Sequence, residues 1–172
     1  MVTGEKKMKI CVLGLWHLGS VTSAGLAKSG HTVVGLDFNN EVIKNLQNAH
    51  APIDEPGLNE LIHETLERKS LSFTNDPSVA LPDADVLWIA FDTPVDEQDH
   101  SDISYIEKNF EKITPFIHDE MKIIISCQVP VGFTRNLQNQ FNKKNPGKKV
   151  YFAYSPGKFE VRKSTKNFFG AR

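Results

Sequence analysis

Within the stretch ICVLGLWHLGSVTSAGLAKSGHTVVGLD, Ile10 to Asp37, two glycines, a tryptophan and a carboxylate fall where a dinucleotide could be gripped. In such a turn one glycine lets the chain reverse tightly, a second lets the backbone approach a pyrophosphate, and a third lets the next helix pack closely. The phosphates rest at the positive end of that helix. Gly14 and Gly19 fill the first and third places, and Trp16 stands in the second. Tryptophan carries a Cβ and disfavours positive φ. Two outcomes are open. Either the backbone from Gly14 through Trp16, His17 and Leu18 to Gly19 still holds the pyrophosphate with the indole turned outward, or the phosphates sit further from the chain. Asp37 lies about twenty residues beyond the turn, at the end of the second expected strand, where a carboxylate accepts both hydroxyls of an adenosine ribose. A 2′-phosphate would meet like charge there, and the residues after it, Phe38 to Glu41, offer no arginine, so the pattern favours NAD.

The other candidates carry less. Thr93 follows the apolar run DVLWIAF, and Gln128 follows KIIISC. Each is therefore placed beyond the carboxyl end of an expected strand, where ligands of open parallel sheets bind. Ordinary loop hydrogen bonding explains either residue equally well. Asp92, Asp96, Glu97, Asp99, His100 and Asp102 crowd one loop without a spacing that fixes a coordination shell, so we read a solvated loop and no metal site. The six histidines are scattered, and no Ser/His/Asp or Cys/His arrangement emerges. Cys127 has a nucleophile's sulfur but no identifiable base, and we expect a small, half-buried thiol. Lys158, Arg162, Lys163, Lys166 and Arg172 read as a solvated basic tail.

Positioning these residues requires a particular set of elements. MKICVLG is a short branched apolar run ending in glycine, as a buried parallel strand should be. Gly19, Ser23 and Ala27 then recur every four residues, giving a helix a small-residue face that can press on a sheet, with Gly30 as its stop. HTVVGLD is a second strand. Val42, Ile43 and Leu46 stripe one helix, and Leu58, Leu61, Ile62 and Leu66 another, on either side of the APIDEPGL turn. LSFTND is a brief strand, Asp76 can cap a short helical turn, and DVLWIAF reads as a strand covered on both faces. Ile103, Ile106, Phe110, Ile113 and Ile117 mark a helix, with Ser104 and Glu107 spaced as a capping box. KIIIS, a helix carrying Phe133, Leu137 and Phe141, and a final strand VYFAYS complete the pattern. Strands alternating with helices imply an α/β, Rossmann-type doubly wound parallel sheet of six strands with helices on both faces, in spatial order 3-2-1-4-5-6.

Composition agrees with a single such domain. The 172 residues, 40% hydrophobic with a net charge of −1, suffice for one real core and not for two of ordinary size. We divide the chain into a flexible start at 1–7, a dinucleotide-binding domain at 8–156 and a polar tail at 157–172. The near-neutral charge offers no field for nucleic acid, and no apolar run approaches the ~18 residues of a membrane span. No signal-peptide pattern precedes the first strand, and with Cys11 and Cys127 expected as reduced thiols the expected location is cytoplasmic.

The motifs GLWHLG, GLD, APIDEPGL, DTPVDE, VPVG and YSP, in this order and at these intervals, resemble the N-terminal domain of the UDP-glucose/UDP-N-acetylmannosamine 6-dehydrogenase family. The match runs from about Met8 to Pro156, and APIDEPGL is its most telling block because generic nucleotide-binding folds lack it. The resemblance implies NAD-dependent oxidation of a UDP-sugar C6 alcohol to a carboxylate, through a thioester on a cysteine. It places Gly14, Gly19 and Asp37 at the cofactor, Thr93 in the family's loop, and Gln128 beside the reacting centre, where threonine is common. Gln128 is thereby the single catalytic candidate. Two departures matter: Gly157 follows Ser155 and Pro156 where the family commonly has glutamate, and the sequence reaches Arg172 without the thioester cysteine, the central helix or the UDP-binding domain. This chain alone is therefore expected not to complete the reaction. The implied partners are a nucleotide-sugar substrate and either a second copy in a homodimer or a separate C-terminal half. The alternative is a stand-alone NAD-binding module or truncated remnant. A dehydrogenase of hydroxy acids or sugar phosphates is disfavoured by APIDEPGL.

Overall fold

The computed structural model describes residues 7–92 and 103–156. Six strands alternate with helices along the chain. They are β1 (Lys9–Leu13), β2 (Thr32–Leu36), β3 (Leu71–Thr74), β4 (Val86–Ile89), β5 (Lys122–Ile125) and β6 (Tyr151–Tyr154). All pair in parallel, in the order β3-β2-β1-β4-β5-β6. This is the expected doubly wound sheet, whose strand order reverses between β1 and β4.

Side chains alternate across each strand, so one sheet feeds two cores. Ile10, Val12, Val33, Leu71 and Phe73 face a layer made by α1 (His17–Lys28), α2 (Asn40–Gln47) and α3 (Leu58–Glu67). Cys11, Leu13, Leu36, Leu87, Ile89, Ile123 and Ile125 face α4 (Pro77–Ala80), α5 (Ile103–Ile113) and α6 (Phe133–Lys144). Phe110, Phe141 and Phe152 meet in tilted and edge-on pairs, with ring centroids 5.9 to 6.2 Å apart, closing that second core.

Local signals account for the helix starts. Asn39 accepts the Glu41 N–H at 2.9 Å to begin α2, and Asp76 accepts the Ser78 N–H at 2.8 Å to begin α4, as its position predicts. Helix α1 has a weak amphipathic pattern because nearly all of it is buried between β1, β2 and α3, with Ser20, Ser23 and Ala24 fully enclosed. At the far edge, β6 leaves Tyr151 and Tyr154 exposed. No helix among the described residues is long and apolar enough to cross a membrane.

Candidate functional site

The turn from β1 into α1 is shaped by two glycines. Gly14 adopts φ +91°, and a Cβ there would lie 2.5 Å from the Phe91 ring. Gly19, in the first turn of α1, faces the Gly14 carbonyl so closely that a Cβ would stand 1.7 Å from its oxygen. Helix and turn are thus in direct backbone contact. The Ser20 hydroxyl donates to the Leu15 carbonyl at 2.9 Å, and the Gly14 N–H donates to the Leu36 carbonyl at 3.0 Å, fastening the turn to α1 and β2.

Trp16 fits this turn without a glycine's freedom. Its φ is −75°, its carbonyl accepts the Ser20 N–H at 3.1 Å, and its indole points outward, 50% exposed. The indole is thus turned away from the turn, which leaves the Trp16 backbone uncovered.

Asp37 is held by two backbone N–H groups. One carboxylate oxygen accepts the Leu15 N–H at 2.8 Å and the other accepts the Asn39 N–H at 2.9 Å, so the residue ties the turn to the end of β2. Each oxygen keeps a further lone pair for an incoming hydroxyl. Beside it opens a cleft of about 380 Å³ lined by Gly14, Trp16, Asp37, Asn39, Phe91 and Tyr105, with Leu15, Val42 and Asp92 completing the wall. It lies at the carboxyl ends of β1, β2 and β4, at the switch in strand order. Among the described residues no lysine or arginine lines it. Lys112 sits instead 4.4 Å over the Phe38 ring and bonds Asn109. Tyr105 meets Phe91 edge-on at 5.2 Å, and burial together with the Asp37 charge raises its phenol above the usual range.

The structure brings Gly14, Trp16 and Asp37 to one cleft and treats the other sequence candidates differently. Leu18 and Gly19 are buried behind the turn. His17 is buried too, its ring turned inward to Glu55 with Nε2 2.6 Å from a carboxylate oxygen. Gln128 is exposed beyond β5 and does not line the cleft. Thr93 lies outside the described residues, as do Asp96, Glu97, Asp99, His100, Asp102, Gly157 and the basic tail. Cys127 corrects its half-buried expectation: it is 1% exposed, and burial pushes its thiol up to about 12. Cys11, fully enclosed, is raised further still. Neither thiol is an activated nucleophile.

Sequence reasoning missed Phe91, Tyr105, Glu55 and the role of Asp92. Asp92 follows β4 and its carboxylate accepts the Leu18 N–H at 3.2 Å and the His17 N–H, at the positive end of α1. Burial outweighs these bonds and raises its carboxyl above the usual aspartate range. The same rule that singles out Thr93 would have found Asp92 one residue earlier. For Glu55 no local signal exists, since its partner is 38 residues away.

The sequence from residue 8 to residue 169 matches the profile of the UDP-glucose/GDP-mannose dehydrogenase family, NAD binding domain. The chain belongs to that family and carries its NAD-binding domain. It is 32% identical over 152 residues to a UDP-N-acetyl-D-mannosamine dehydrogenase of Methanococcus maripaludis, covering 86% of this chain and 34% of that protein. A UDP-glucose 6-dehydrogenase of Bacillus subtilis is 30% identical over 151 residues, covering 88% of this chain and 33% of its own length. The fold is similar to that of a GDP-mannose dehydrogenase of Pseudomonas aeruginosa, with a TM-score of 0.86 at 26% identity over 94% of this chain and 38% of that one. The chain thus spans about a third of the length of the curated relatives it matches.

The residues present fit the family's cofactor. The first N–H groups of α1 already converge on a carboxylate, that of Asp92, which lines the cleft.

Proposed function

We propose that this chain is the cofactor-holding part of a nucleotide-sugar 6-dehydrogenase, which oxidises the C6 alcohol of a UDP-sugar to a carboxylate. The observation that carries the reading is Asp37, whose carboxylate is fixed by the Leu15 and Asn39 N–H groups at the mouth of a cleft that no basic side chain lines among the described residues. That arrangement suits a ribose with both hydroxyls free and opposes a 2′-phosphate. NAD supplies the hydride acceptor when bound. On this reading Asp37 holds the adenosine ribose, while the backbone of Gly14, Trp16, His17, Leu18 and Gly19 holds the pyrophosphate. Phe91 and Tyr105 wall the cleft, and Thr93 and Gln128 serve the nicotinamide end. The UDP-sugar, a homodimer or separate C-terminal half, and a cytoplasmic location belong to the same proposal. The names of the relatives and two buried, unpaired cysteines support it.

A second reading is an NAD-binding module without turnover; Asp92, whose carboxylate holds N–H groups that a diphosphate would use, bears on cofactor binding under both readings. Calorimetric titration with NAD and, separately, NADP tests the main reading. We expect NAD to bind and NADP to bind at least about tenfold more weakly, a difference of ~1.4 kcal/mol. A folded chain that binds neither would refute it. Turnover of a UDP-sugar once the remaining two thirds of a relative is supplied separates the enzyme from the silent module.

A further inference from the structure

The APIDEPGL block marks the family most distinctively, yet none of its residues lines the cofactor cleft. The structure shows what one of them does. Glu55, 5% exposed in the turn before α3, reaches across to the ring of His17, the first residue of α1, at 2.6 Å. His17 is itself 9% exposed, so the contact is shielded from water on both sides. The peptide of this same histidine belongs to the phosphate turn: its N–H, with that of Leu18, points outward to Asp92. His17 is therefore gripped from behind by its ring and presents its backbone in front.

From this geometry we propose that Glu55 is a positioning residue for the dinucleotide: through His17 it fixes the direction of the first N–H groups of α1. The inference rests on the cofactor reading above. Its physical basis is the helix start itself. Gly19 packs on the Gly14 carbonyl with no side chain between, and Trp16 directs its indole to solvent, so beside the Ser20 hydroxyl on the Leu15 carbonyl it is the His17 ring that holds the helix start from behind. The turn must hold its donors within a few tenths of an ångström to receive a diphosphate. A directional bond from a buried carboxylate fixes that ring, and a polar pair shielded from water has few alternative arrangements. It explains why one of the two acids of the turn, Glu55, stands at a buried position while its neighbour Asp54 is exposed.

The test separates position from stability. His17→Phe/Glu55→Leu replaces the pair by apolar residues of similar size, an exchange that buried ion pairs commonly tolerate. Glu55→Ala removes the grip alone, and Glu55→Gln keeps an acceptor at the same place. We expect the double variant to unfold within about 3 °C of the parent yet bind NAD about tenfold more weakly. Glu55→Ala should lose at least as much affinity, and Glu55→Gln should restore most of it. A folded double variant, or a folded Glu55→Ala variant, with affinity within about twofold of the parent would overturn the proposal. In a Trp88→Phe background the exposed indole of Trp16 reports on the same turn without any cofactor. Loss of the pair should lower its fluorescence anisotropy, and an unchanged anisotropy counts against the proposal even if the parent binds no NAD. Failure of the parent to bind NAD overturns the cofactor reading, and the anisotropy then decides the bracing on its own.

Discussion

Replacing Gly19 by alanine tests the backbone contact on which the whole site is built. The added Cβ would stand 1.7 Å from the Gly14 carbonyl oxygen, against a practical limit of 3.0 Å, so helix and turn must part by about 1.3 Å. No rotamer can relieve this, because both partners are main chain. Overpacking of a core usually destabilises by about 1–3 kcal/mol, and a backbone partner puts this site at the upper end. Alanine returns about 1 kcal/mol of helix propensity. The net loss is about 2 kcal/mol, or a melting temperature lower by roughly 4–8 °C for a chain of this size. Gly30→Ala is the control. Its φ of +98° brings about 1–2 kcal/mol of backbone strain, but no atom lies within 4 Å of the new Cβ, so the turn stays in place. Urea unfolding followed by circular dichroism gives both stabilities, and calorimetry gives the NAD affinities. We expect Gly19→Ala to lose measurable binding and Gly30→Ala to keep the parent value. A Gly19→Ala chain with stability within about 0.5 kcal/mol of the parent and unchanged affinity would refute the close contact and its part in binding.

Three other perturbations have definite outcomes. Asp37→Ala removes the acceptor of the Leu15 and Asn39 N–H groups, and should lower stability by about 1–2 kcal/mol and NAD affinity at least about tenfold, as urea unfolding and calorimetry would record. Asp92→Asn removes a like charge from the diphosphate position and should tighten NAD about fivefold at low salt, less at high salt; equal affinity at all salt concentrations would remove the competition. Because the folded state keeps the Asp92 carboxyl protonated to higher pH than the unfolded chain does, the parent loses stability as pH rises through that interval and the asparagine variant does not. The variant's advantage should grow with pH, by less than about 1 kcal/mol for a carboxylate only partly shielded from water, and an advantage that shrinks contradicts the sign. Cys11 and Cys127, both buried with raised thiols, should resist iodoacetamide at neutral pH and react once urea unfolds the chain, which mass spectrometry would show directly.

The sequence by itself determined the strands, the helices and the order 3-2-1-4-5-6, because period-two burial, small-residue spacing and right-handed crossover are rules acting over a few residues or on consecutive elements. It also singled out Gly14, Gly19 and Asp37 from where they stand along one β-α-β unit, and the structure sets Gly14 and Asp37 at one cleft. It could not give the direction of the Trp16 indole, which rests on a backbone angle, and φ is −75°. Nor could it show that Asp37 holds Leu15, that Asp92 caps α1 from the end of β4, or that Glu55 grips His17. Those contacts join residues 22, 74 and 38 positions apart. Which distant carboxylate meets which N–H is set by how helices seat on the sheet, and only the tertiary structure decided it.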